Sequence, residues 1–341
     1  MPKVAIQVLP YKSSDELPRV VQSLKDQTYT DWKLYLYENS CNAAEYARVE
    51  AILQASGVPY ELQTGPVNLG FAGGHNQLFS LHEAEFVLLL NDDAYLEVGY
   101  LEAVLERFAQ DENIAAVAGP VYRWSRPVQE KEVLEDQTPV DTLAHVYTSL
   151  AEVADLGAGQ PARDWKSWVQ TPQRVFGVSA AVATYRRSAV LASSIDGTLF
   201  DPFFFMYKED VDLSIRLARK GFTAWFEPKA LSFHRRTFQG GKGLIQRLRD
   251  EAKRPAHLRI AMYRNQWALY VYHFSEKLGL RDVLRVGRAE VLRAIGTFVV
   301  SPRVYLDTWW QILTRLPSWL KRRQQFQKMG MPFIRLDTWG K

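Results

Sequence analysis

Phe86-Val87-Leu88-Leu89-Leu90-Asn91-Asp92-Asp93 decides the fold. A short, unbroken apolar run stopped by a polar cluster reads as a strand buried on both faces. Similar strand patterns occur at residues 4–9 (stopped by Pro10), 32–37 (ending at Glu38-Asn39-Ser40), 60–63 and 114–118. Between them, apolar residues recur at helical spacing over residues 15–27, 43–55, 73–81 and 98–110. Strands alternating with helices predict an α/β fold, a mainly parallel sheet covered on both sides. Ligands of such sheets bind beyond the carboxyl ends of the strands. Pro10-Tyr11, Glu38-Asn39 and Asn91-Asp92-Asp93 all fall at those ends.

A second acidic cluster follows an aromatic run, Phe203-Phe204-Phe205-Met206-Tyr207-Lys208-Glu209-Asp210-Val211-Asp212-Leu213, and opens an amphipathic stretch. Aromatic side chains favour burial and carboxylates resist it. Together at a helix start they hold a carboxylate at the wall of a pocket. Two such clusters, each at the edge of a buried element, suggest a metal site and a base. Residues 125–172 differ. They are polar, carry Pro127, Pro139, Pro161 and Pro172, and read as an insertion loop with one short helix shaping the acceptor side of a cleft.

Composition narrows the class. The single cysteine, Cys41, excludes a disulfide within the chain and fits a reducing compartment. The N-terminus enters a strand pattern directly, so no signal peptide is read. No uncharged apolar run reaches the roughly 18–20 residues that span a bilayer. The net charge of +4 hides an asymmetry. Residues 1–252 hold 25 Lys+Arg against 33 Asp+Glu, whereas residues 253–341 hold 17 against 5, with five of the ten tryptophans. The expected organisation is a catalytic body over 1–252 and a basic, Trp-rich helical region over 253–341.

Four blocks resemble the inverting, nucleotide-sugar-dependent glycosyltransferases of family 2, which have the GT-A fold. They are Glu38-Asn39-Ser40, Asn68-Leu69-Gly70-Phe71-Ala72-Gly73-Gly74-His75-Asn76, Leu89-Leu90-Asn91-Asp92-Asp93, and residues 200–213. The second and fourth are most similar to bacterial rhamnosyltransferase-type members. The resemblance implies a divalent ion, Mg2+ or Mn2+, held by Asp93 and by His234, with Arg235 and Arg236 reaching the diphosphate. Asp210 is implied as the general base, with Glu209 on the acceptor; Asp212 is read as capping or solvating its helix. The implied donor-binding set is Pro10, Tyr11, Glu38, Asn68, Gly70, Phe71, Asn76, Asn91 and Asp92, with Asn91 near the ribose. Backbone N–H groups of the Asn68 block are expected to meet phosphate oxygens. Residues 239–243 are expected to form a loop closing over the donor; His75 has no assigned role, and the part Asp92 plays within the donor set is left open.

The implied reaction moves a sugar from a nucleotide diphosphate to a glycan or polyprenyl-linked acceptor in bacterial surface polysaccharide or cell-wall synthesis. The favoured donor is deoxythymidine-diphosphate L-rhamnose, with uridine-diphosphate sugars second. A nucleotidyltransferase shares the sheet and the metal carboxylates, but the Leu9-Pro10-Tyr11-Lys12 loop lacks the glycine it would need. A nucleic-acid-binding protein using the basic region is the non-enzymatic alternative; the acidic body and the absence of a recognisable module argue against it. The basic, tryptophan-bearing helices suit an anionic membrane surface at the inner face of the plasma membrane, or a second copy of the chain.

Overall fold

The computed structural model describes residues 2–12, 14–124, 134–148, 152–235, 253–273 and 280–331. The strands are β1 (Val4–Val8), β2 (Trp32–Glu38), β3 (Tyr60–Thr64), β4 (Phe86–Leu90), β5 (Ala94–Leu96), β6 (Ile114–Ala118), β7 (Val121–Arg123), β8 (Val140–Thr142), β9 (His145–Tyr147), β10 (Val153–Asp155), β11 (Gln173–Val175), β12 (Val182–Arg186), β13 (Thr223–Phe226) and β14 (Ser232–His234). The helices are α1 (Leu17–Lys25), α2 (Ala43–Ser56), α3 (Gly70–Phe79), α4 (Tyr100–Phe108), α5 (Arg187–Ser193), α6 (Glu209–Arg219), α7 (Ala256–His273), α8 (Leu280–Val300) and α9 (Pro302–Lys328).

Eight strands form one sheet in the order β11-β13-β6-β12-β4-β1-β2-β3. β12 is antiparallel to β4 and β6, and β11 to β13; the other pairings are parallel. β4 explains why the apolar run is unbroken. Phe86, Leu88 and Leu90 enter one core and Val87 and Leu89 the other, so both faces are covered. Full burial of each such side chain contributes roughly 1.5–3 kcal/mol. A second sheet, β5-β14-β7-β8, stands beside the first.

Local signals set the helix ends. Asn42 caps α2 by accepting from Ala44 N at 2.9 Å, and Gly57 (φ 71°) ends it. The helix predicted over 98–110 starts only at Tyr100, because Gly99 is left-handed (φ 86°). The segment 125–172 is more ordered than its composition predicts. Its described part carries β8, β9, β10 and two 3-10 turns, Ala162–Trp165 and Trp168–Gln170.

The last helices share a core with the body. Tyr272 of α7 and Trp319 and Phe326 of α9 lie in one buried cluster with Phe204 and Leu213. Asp212 does not cap or solvate its helix; it is fully buried beneath α7, 2.7 Å from Arg216 Nε and 2.8 Å from His273 Nε2. Burial alone would raise its carboxyl, but Arg216 and His273 outweigh that and hold it at about 2. Arg219 Nη2 donates to Met331 O at 2.7 Å, and Arg322 bridges Asp201 (2.7 Å) and Asp196 (2.8 Å). Among the described residues no helix is long and apolar enough to cross a membrane.

Candidate active site

The sheet order reverses between β1 and β4, the kind of switch point at which open α/β sheets bind ligands. The loop after β1 carries Tyr11, whose N donates to Asp92 Oδ2 at 2.9 Å from the loop after β4. Asn39, after β2, joins a third loop. Its N donates to Pro10 O (2.9 Å), its Nδ2 to Gly70 O (3.1 Å), and its Oδ1 accepts from Leu69 N (2.8 Å).

The second sheet places Asp93, His234 and Asp141 in line. His234 ends β14, opposite Ala94 of β5 and Arg123 of β7. Its Nε2 is 3.0 Å from Asp93 Oδ1 and its Nδ1 is 2.8 Å from Asp141 Oδ2. Burial opposes a charge on His234, yet the two carboxylates outweigh it and raise the imidazole to about 10. Asn91 Nδ2 lies 3.2 Å from the same Nε2. Asp93 and His234 therefore converge as two ligands for a cation that would take the place of the Nε2 proton, and Asp141 orients the imidazole from behind, an arrangement typical of metal-ligating histidines. No group of three or more His, Cys, Asp or Glu that could hold a metal occurs among the described residues. Two suffice for a hard cation that takes its other ligands from phosphate and water.

Glu209 and Asp210 open α6. Asp210 Oδ2 accepts from Ala180 N at 3.2 Å and lies 3.5 Å from His145 Nε2, which is also 3.7 Å from Asp155 Oδ1. Glu209 is buried, and burial, reinforced by the Asp210 charge, pushes its carboxyl well above the usual range. Before them stand Tyr207 (φ 70°) and Lys208 (φ 72°), both left-handed without being glycine. Such residues cost about 1–3 kcal/mol each and persist only where the surroundings hold them.

These groups face one cleft of about 830 Å³, lined among others by Tyr11, Phe71, Asn91, Asp92, Asp93, Glu209, Asp210 and His234. An adjoining hollow of about 350 Å³ shares Tyr11, Phe71, Asn91 and Asp92 with it and adds Asn39, Asn68 and His75, with Pro255, His257 and Leu258 along its side. His75 is buried against the Gln7 amide (2.9 Å), and burial lowers its pKa to about 3, keeping it neutral.

Four members of the expected donor set line neither space. Pro10 contributes its carbonyl to Asn39. Glu38 is buried, with Oε1 accepting from Ser40 N at 2.9 Å. Gly70 is left-handed (φ 68°), and a Cβ there would lie 2.3 Å from Phe205 O. Asn76 has both ends of its amide on the Phe200 backbone, at 2.9 and 2.8 Å. The N–H groups of Phe71 and Ala72 do not stand open to phosphate, since both donate to Phe205 O (2.8 and 3.3 Å). Arg235 turns from the cleft to pair with Glu16. Arg236 and the expected closing loop 239–243 lie outside the described residues. Sequence reasoning missed Asp141, His145 and Asp155; the Asp-x-x-x-His spacing inside an apparently irregular segment was the available signal.

A family model described as glycosyltransferase-like family 2 matches residues 2–266. The chain belongs to that family. Two solved structures locate this family 2 member among GT-A folds. A crystal structure of GalNAc-T7 with UDP, GalNAc and Mn2+ has a TM-score of 0.62 at 12% identity, covering 96% of this chain and 56% of that one. The chain thus spans little more than half of that protein's length. The mannosyltransferase PcManGT from Pyrobaculum calidifontis, in complex with GDP-Man and Mn2+, has a TM-score of 0.50 at 13% identity, covering 96% and 86%. At such identities the likeness shows the fold. No curated protein matches the chain.

Proposed function

We propose that the protein is an inverting glycosyltransferase that moves one sugar from a nucleoside diphosphate to a glycan or lipid-linked acceptor by single displacement. The observation that carries this reading is the opposition, in one cleft, of the Asp93–His234 pair and the Asp210 carboxylate. Asp93 Oδ1 and His234 Nε2 would hold Mg2+ or Mn2+, with Asp141 keeping the Nδ1 proton. Bound there, the ion supplies Lewis-acid neutralisation of the departing diphosphate; Mn2+ accompanies the nucleotide in both solved relatives. Asp210 accepts the proton of the acceptor hydroxyl as its oxygen bonds to the anomeric carbon. The bond from that carbon to the diphosphate breaks on the opposite side, and the configuration inverts. Glu209, whose carboxyl is pushed above the usual range by burial and the Asp210 charge, binds the acceptor. Tyr11, Asn39 and Asn68 stand where a nucleoside would lie.

The donor is assigned as a deoxythymidine-diphosphate sugar, L-rhamnose first, with uridine-diphosphate sugars as the competing class. In this reading residues 1–252 supply the reacting groups, and the region from 253 holds the enzyme at the inner, anionic face of a bacterial plasma membrane, beside a lipid-linked acceptor for polysaccharide or cell-wall synthesis. Leu284, Leu292 and Ile295 of α8 and Trp310 and Leu313 of α9 are 55–70% exposed, with Arg281 and Arg288 beside them. Residues 280–331 carry ten Lys+Arg against three Asp+Glu. A second copy docked there would set like charge against like; anionic lipid would not.

The test is release of nucleoside diphosphate from a panel of nucleotide sugars with Mn2+ or Mg2+. Asp93→Ala should lose metal-dependent turnover. Asp210→Asn should keep donor affinity and lose roughly 10²-fold or more in kcat. Retention at the anomeric carbon, seen by NMR of the product, would contradict single displacement. Stronger thermal stabilisation by uridine diphosphate than by deoxythymidine diphosphate would refute the rhamnose assignment.

A further inference from the structure

Tyr207 and Lys208 turn the chain from the buried Phe204 into α6, and so set where Glu209 and Asp210 enter the cleft. L side chains avoid the left-handed conformation, and two in succession need an outside support. That support comes from α7. Asn265 is fully buried and donates from one Nδ2 to both Met206 O (2.9 Å) and Tyr207 O (2.8 Å). Its Oδ1 accepts from Arg264 Nε (3.1 Å) and Nη2 (2.9 Å), which fixes which end of the amide faces the turn. Arg264 is itself held, 3.0 Å from Gln311 Oε1 of α9 and 4.8 Å above the Phe203 ring. Every polar atom of the Asn265 amide is engaged, and both of its donor bonds go to the turn that carries the candidate base.

We propose that Asn265 is a positioning residue: it holds the left-handed turn that aims Asp210 at the acceptor, which makes α7 part of the catalytic apparatus. This rests on the reading of Asp210 as the base. An apolar side chain at 265 would leave two buried carbonyls without their donor, and the turn would relax toward a conformation its residues prefer. Asp210 would then move relative to the donor, and a displacement near 1 Å costs on the order of 10²-fold in rate.

The experiment compares wild type, Asn265→Ala, Lys208→Gly and the double variant. Glycine adopts positive φ freely, so at 208 it removes one of the two strained residues the amide must hold and should make the amide less necessary. The first readout is hydrogen–deuterium exchange, which requires no knowledge of the reaction. Asn265→Ala should speed exchange in peptides covering residues 205–212 and leave the rest of the fold as protected as before. In the Lys208→Gly background the same substitution should speed exchange clearly less. The second readout is steady-state kinetics. Asn265→Ala should lower kcat on the order of 10²-fold at unchanged donor KM, and clearly less in the Lys208→Gly background. A merely structural asparagine would give equal losses in both backgrounds, and that result overturns the proposal, as does unchanged exchange at 205–212. If Asn265→Ala alone does not fold, the double variant must; misfolding in both backgrounds also overturns it. A wild-type enzyme that releases no nucleoside diphosphate from any donor sinks the transfer reading, while the exchange data still decide the role of Asn265 on the turn.

Discussion

Helices α7 and α8 follow one another in the chain, and each carries apolar residues mixed with arginines, yet they meet opposite fates. α7 buries eight residues, among them Asn265, Leu269, Tyr272 and His273. Among the described side chains of α8 only Val286 is buried, while Leu284, Val291, Leu292 and Val299 stand more than half exposed. The difference lies in polar partners. α7 meets the Met206 and Tyr207 carbonyls, the buried Asp212 carboxylate and Arg219, groups that need its amide and imidazole. α8 reaches the body through Arg293, which pairs with Glu152, and meets α7 through Glu290, which accepts from Tyr270 OH at 2.9 Å. Its outward side has apolar residues and arginines. An amphipathic pattern says that a helix has a face to cover; the polar atoms on that face say whether the cover is its own chain.

The largest expected effect tests the α7 side. Asp212→Ala leaves Arg216 and His273 buried without their carboxylate and should destabilise the fold by about 3–5 kcal/mol, read by urea unfolding at neutral pH. The pH dependence has a definite sign. The folded carboxyl, at about 2, lies below its ordinary 3.8, so its contribution is present above 3.8 and is lost as pH falls toward 2. The His273 pKa is lowered by burial, so stability also falls as pH drops below 6.5, where the unfolded chain takes up the proton first. Asp212→Ala should remove the steep fall between 3.8 and 2. An unchanged acid limb would mean that the carboxylate is not what joins α6 to α7.

Next in size is Leu269→Ala, which empties a site in the core shared by α7 and the body and should cost about 2–5 kcal/mol in the same assay. A loss below 1 kcal/mol would mean that α7 lies on the body loosely, and the contrast with α8 would fail.

The sequence showed the parts whose causes are local. β4 was legible because five apolar residues and a polar stop need no distant partner to be read. That Asp93 and Asp210 face the cleft was legible because each sits at the end of its own element. Asp141 and His145 were not, since what makes them matter is register. β8 pairs with β7, and that brings Asp141 to His234 across 93 residues. Asn76 and Gly70, expected in the donor set, line neither the cleft nor the hollow, for a related reason. A glycine- and amide-rich loop resembles a ligand cradle, but here the chain's own Phe200 and Phe205 backbone fills it. Asp212 was misread although Arg216, four residues on, offered a pairing; the decisive partner, His273, comes from a helix no local pattern connects to it.

A smaller effect probes the outward side of α8. Arg281→Gln and Arg288→Gln should each weaken binding to anionic vesicles by about 1 kcal/mol at low salt, with no change in melting temperature. Equal binding to neutral and anionic vesicles would remove the electrostatic part of the membrane reading. A stable dimer by sedimentation, with no vesicle binding, would replace lipid by a second copy.

The smallest expected effect separates the two helices most sharply. Leu292→Asn and Ile295→Asn place amides at positions 60% and 55% exposed. If that face meets water or lipid and not the body, neither substitution creates a cavity or buries an unpaired polar group, and each should change folding stability by no more than about 0.5 kcal/mol. The same variants should lose vesicle binding, because an amide removes the apolar contact that seats the helix in the headgroup region. A helix packed on protein in solution would behave in the reverse way, losing several kcal/mol of stability as Leu269 does. The pair of measurements therefore tells whether the exposed face of α8 is covered by this chain, and the expected answer is stability unchanged and membrane affinity lost.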